Sequence, residues 1–135
     1  MKRYLFAAQP VPDSPLICRL RQIARGLDAS PRDPLLVDEL LAMEEWLWRQ
    51  VDYYDDTGLP FRDQVGRHFE QAWSGYALFL QAVVELLDYT RDPRPRHLDL
   101  GLELAEQGEG VLRDLERQVQ EERVWFDRVT PRAVA

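Results

Sequence analysis

From Val65 onward, apolar and polar positions alternate with the period of a helix, not that of a strand. Val65, Phe69, Ala72, Tyr76, Phe79, Leu80, Val83 and Leu87 recur every three or four positions, and Arg67, Glu70, Ser74, Gln81, Glu85 and Asp88 fall on the other side. The spacing predicts one helix from about Pro60 to Thr90, about 45 Å long at 1.5 Å per residue. A lone helix of this kind does not hold itself in water, so its stripe demands other helices to cover it.

The rest of the chain supplies them. Ser14-Pro15 has the form of a helix start, and Leu16, Leu20, Ile23 and Leu27 make a narrow stripe to about Ala29. Ser30-Pro31-Arg32-Asp33 resembles a capping box, and Asp33-Pro34 offers a further start for a helix running to about Asp55. Thr57-Gly58-Leu59-Pro60 separates that helix from the long one. Asp92-Pro93-Arg94-Pro95-Arg96 breaks the chain again, because two prolines so close cannot sit inside a helix. The last helix is expected over residues 96–129, before Pro131. Residues 1–13 read as an extended arm ending beyond Pro10 and Pro12. The expected fold is all-α: one domain over residues 1–135, an antiparallel up-down helical bundle of three long helices (34–55, 60–90, 96–129) with a shorter N-terminal helix (15–29).

Turning each residue by ~100° assigns the faces. The second helix carries a core stripe of Leu36, Leu40, Met43, Leu47, Val51 and Tyr54. It is flanked by Val37, Leu41 and Trp48 on one side and by Leu35, Trp46 and Tyr53 on the other. Trp46 and Trp48 lie ~200° apart and cannot share a face. So broad an apolar circumference fits either a central helix with several neighbours or a helix with an interface strip. Trp46, Trp48 and Tyr53 are the interface candidates, since aromatic anchors dominate interfaces.

The last helix has the stripe Leu100, Leu104, Gly108, Val111, Leu115, Val119 and Phe126. Gly101, Gly108 and Gly110 lie inside this helical pattern, each at a cost of about 1 kcal/mol against alanine, and Gly101 and Gly108 fall on the inward side. Gly75 borders the stripe of the long helix. Glycines so placed fit close helix approach, or a groove for a ligand or a partner helix.

Three polar residues intrude on apolar arcs: Glu44, His68 and Glu122. Counting out from the turns places His68 level with about residue 118 and about residue 47, so that Glu122 lies about one turn from it and Glu44 about one turn on the other side. A buried carboxylate needs a partner, so each glutamate either pairs with an arginine such as Arg62, Arg67 or Arg123, or joins His68 in a metal or acid–base site. The Glu-x-x-His spacing of bundle di-metal sites is absent, because Val65 and Arg94 stand three residues before His68 and His97. Arg91, Arg94, Arg96 and His97 form a basic turn that could hold an anion or simply be solvated. Cys18, beside the first stripe, reads as a small core residue.

Composition narrows the function classes. A 135-residue chain with 45% hydrophobic and 30% charged residues is long enough for a core of its own. A net charge of −7 argues against a nucleic-acid partner, which a basic surface would serve. One cysteine rules out an internal disulfide or a cysteine zinc cluster. The run Tyr4–Ala8 is too short for a signal peptide or a membrane span, so no membrane is expected and a cytoplasmic location fits. No catalytic, nucleotide or metal motif is present, and no cofactor is expected. Two functions fit: a non-enzymatic module that self-associates or binds a protein partner, or a small ligand- or metal-binding bundle or enzyme built on Glu44, His68 and Glu122.

Overall fold

A computed structural model describes residues 13–55 and 64–129, with side chains over 66–123 in the second stretch. Four helices form: α1 (Pro15–Ala29), α2 (Pro34–Tyr54), α3 (Gln64–Arg91) and α4 (Pro95–Val129). No strand occurs among the described residues. Residues 1–12 of the expected arm (1–13) and the expected start of the long helix at Pro60 lie outside them.

Local chemistry sets the helix ends. The Ser14 hydroxyl accepts the Ile17 backbone N–H at 3.3 Å, and Pro15 fills the first turn, where its missing N–H costs nothing. Asp33, not Ser30, caps α2 by accepting the Leu35 N–H at 3.0 Å. Ser30 instead closes α1, its N–H bonded to the Gly26 carbonyl at 2.8 Å. Pro95 opens α4 directly after the Asp92–Arg94 turn.

α3 is the central element. It packs most extensively on α4 and next on α2, whereas among the described residues no Cα of α2 comes within 8 Å of one in α4. Contacts run in opposite order along α3 and α4: His68 meets Glu122, Gly75 faces Gly108 and Leu112, and Glu85 meets His97. The shorter α1 touches all three other helices and fills one of the two furrows beside α3. Ile17, Leu20, Ile23 and Leu27 of α1, Leu40 and Leu47 of α2, and Phe79, Val83 and Leu86 of α3 are fully buried there. Each such side chain contributes about 1.5–3 kcal/mol by leaving water.

Two expectations about faces are corrected. The inward line of α4 is Leu98, Gly101, Ala105 and Gly108, while Leu100 and Val119 are exposed. The small residues decide this rotation. A Cβ at Gly108 would stand 2.9 Å from the Gly75 carbonyl oxygen, so the two backbones approach closely only with glycine there. Leu104, Val111 and Leu115 stay half-buried, and Phe126 lies outside the described side chains. Cys18 is exposed, because α1 buries Ile17 and turns the next residue outward. No helix among the described residues is long and apolar enough to cross a membrane.

Candidate functional site: an open furrow beside α3

Because α2 and α4 flank α3 without meeting, two furrows run along α3. α1 occupies one, and none of the described residues fills the other. Ala77 and Gln81 lie two positions either side of buried Phe79, about 160–200° round the helix, and so face away from it. They line a groove of about 690 Å³ with Trp48 and Val51 of α2, Trp73, Leu80, Val84 and Glu85 of α3, and Leu100 and Leu104 of α4. Its floor is made by Val51 and Leu80, both nearly inaccessible. Its walls stay in contact with water: Trp48 is 52% exposed, Leu100 41% and Trp73 40%. Leu41, two turns before Trp48 on the same strip, is also exposed. Apolar residues scattered singly are ordinary on a surface, but this set converges on one trough.

The three interface candidates separate. Trp48 forms a wall of the groove. Trp46 meets Tyr76 edge-on at 5.9 Å, and Tyr76 stacks on Tyr54 at 5.6 Å. Tyr53 meets Tyr54 edge-on at 4.9 Å and lies 6.0 Å from Phe69. Trp46 and Tyr53 therefore belong to an aromatic cluster between α2 and α3, although both keep much of their surface exposed. Burial, with Tyr54 nearby, raises the Tyr76 phenol above its usual range.

The polar intrusions separate as well. His68 Nε2 lies 3.3 Å from Glu122 Oε1, a direct contact between two residues that counting sets about one turn apart. Glu44, half-buried on α2, does not bring a ligand atom within 4.8 Å of both. Among the described residues, Glu85, Asp88 and His97 do converge to that extent, and such a trio could hold a divalent cation. In the structure its imidazole is engaged by protein groups: Nδ1 lies 2.8 Å from Glu85 Oε2, and Nε2 3.6 Å from Asp92 Oδ2. Asp92 also receives Arg94 at 3.0 Å. The turn that read as basic is thus threaded with carboxylates, which removes much of its attraction for an anion.

Sequence reasoning missed Trp73, Val84 and Leu100 as surface groups and Glu109 as a buried one. The two-sided apolar arc of α3 carried the signal for the first two. Trp73, Ala77, Leu80 and Val84 form a second stripe beside the one through Phe79. No family model, curated protein or solved structure matches this chain.

Proposed function

We propose that this chain is a non-enzymatic interaction module that receives a helix of a protein partner in the open furrow beside α3. One observation carries the reading: α1 fills one furrow with a stripe of Ile17, Leu20, Ile23 and Leu27, while the furrow opposite is apolar and filled by none of the described residues. Helix-in-groove recognition needs such a trough, with anchors accepted at helical spacing. Two tryptophans at its walls match the residue type that concentrates binding energy. The trough has solvent-exposed walls at Trp48, Trp73 and Leu100, whereas small-ligand sites bury most of their occupant.

The reading is tested by affinity capture from the native source with the wild-type chain, a Trp48→Glu/Leu100→Glu variant and a Trp46→Ala variant, with light scattering on the free protein. A partner retained by the wild type and Trp46→Ala, and lost by the groove variant, supports it. A partner held equally by all three overturns it.

A further inference from the structure

We infer that the occupant of the groove is an amphipathic helix with lysine or arginine flanking its apolar stripe. The inference rests on the groove reading and adds the partner's chemistry. Carboxylates border the trough on all three helices. Glu45 and Asp52 lie one turn either side of Trp48, Glu70 one turn before Trp73, and Glu103 one turn after Leu100; all four are exposed, and half-buried Glu85 lines the trough itself. Of these, Glu45 is paired with Arg49 at 3.2 Å and Glu85 with His97 at 2.8 Å, which leaves Asp52, Glu70 and Glu103 against Arg96, one turn before Leu100. The chain as a whole carries −7, so its far field has the same sign as the rim. A cationic helix is steered toward such a trough and an anionic one repelled.

The length follows from the lining. Trp73 to Glu85 spans about 18 Å of helix axis, or roughly three turns, close to the reach of α1 on the other side. The apolar floor takes leucine-sized side chains every three or four residues, and the rim takes the cations beside them.

A second copy of this chain fits less well. It would bring an equally acidic rim against this one, which opposes association at low salt. Light scattering and tryptophan quenching distinguish the cases.

The experiment uses three end-capped helical peptides of about 14 residues that share one leucine stripe and carry lysine, glutamine or glutamate elsewhere. Each is labelled and titrated by fluorescence polarisation against the full chain, against Leu100→Glu, and against Val119→Glu. Val119 is also exposed, and its variant adds the same charge about 28 Å along α4 from Leu100. Circular dichroism confirms that both variants fold, as exposed positions should allow. The expected result is tightest binding by the lysine peptide, with the glutamate peptide weaker by roughly tenfold or more and the gap narrowing as salt is raised. Binding should fall in Leu100→Glu and persist in Val119→Glu.

Equal binding of all three peptides, lost in Leu100→Glu, would leave the groove reading standing and overturn the basic partner. No binding by any peptide, or binding indifferent to Leu100→Glu, would overturn the groove reading itself. A free protein that is dimeric with Trp48 shielded from quencher would make the occupant a second copy and overturn the inference.

Discussion

Ser14 gives both of its hydrogen-bond donors to Glu109: the backbone N–H to Oε2 at 2.8 Å and the hydroxyl to Oε1 at 2.6 Å, across 95 positions of sequence. The same hydroxyl accepts the Ile17 N–H and so caps α1. Glu109 is 6% exposed, and its carboxylate is satisfied by the start of another helix. Asp13 adds an outer tie, meeting Arg21 at 2.6 Å and Arg113 at 3.4 Å. A cap and a tertiary clasp are thus the same residue, which fixes where α1 enters the furrow.

Ser14→Ala should therefore cost more than an ordinary lost cap, about 2–3 kcal/mol, because a buried carboxylate also loses a donor. Glu109→Gln should cost about 1–2 kcal/mol, since the amide oxygen still accepts one bond. Urea midpoints of the two single variants and the double variant give the coupling. Strict additivity would mean that the clasp contributes nothing to stability.

The helix crossing makes opposite predictions for two glycines. Gly108→Ala forces a Cβ to 2.9 Å from the Gly75 carbonyl and 3.0 Å from Phe79 Cδ2, and should destabilise by about 1–3 kcal/mol. At Gly110 nothing lies within 4 Å, so alanine should stabilise by up to about 1 kcal/mol. Denaturation midpoints moving the same way in both variants would contradict the crossing.

Acid should weaken the tie between α1 and α2. The Arg19 guanidinium binds the Glu39 carboxylate through two nitrogens and holds it below the usual glutamate range, the hydrogen bond outweighing partial burial. A depressed folded value means that the stabilisation is present above the unfolded value and is lost as pH falls through the folded one. The pair is partly exposed, so the effect should be small and reduced by salt. A carboxyl NMR titration should place Glu39 low in the wild type and back in the ordinary range in Arg19→Ala.

His97 ties the first turn of α4 to α3. Replacing it with alanine should cost about 1–2 kcal/mol through the lost Glu85 bond. Glu85→Ala should produce a similar shift in thermal midpoint, and the double variant should lose less than the sum. Full additivity would show that the two side chains do not act together.

Tyr76 should be the slow tyrosine in alkaline titration. Its raised phenol value keeps it neutral after exposed tyrosines have ionised, and the stability that it contributes is lost as pH climbs from the ordinary value through the raised one. Absorbance of tyrosinate during a pH ramp reads this directly. Tyr76→Ala should cost about 2–4 kcal/mol, toward the lower end of large aromatic truncations because the ring is only half-buried.

The helices and their ends were legible in the chain because both are local. Ser14-Pro15 and Asp33-Pro34 start helices by bonds to residues two or three positions on, and the α3 stripe through Phe79 and Val83 follows from helical pitch alone. Counting out from a turn brought His68 to within about one turn of Glu122, and the packing of α3 on α4 closes that gap to a contact. Other features depend on how one helix sits against another. Helical turning sets both Leu100 and its neighbour Gly101 inward, and only the close approach of α4 to Ala82 and Leu86 decides that Gly101 takes the inward place while Leu100 faces the groove. Glu109 looked like any exposed glutamate until α1 docked and brought Ser14 to it. Local periodicity determined which segments coil. The open furrow exists because α2 and α4 stand apart on either side of α3, a separation set by the packing of whole helices and carried by no single stretch of sequence.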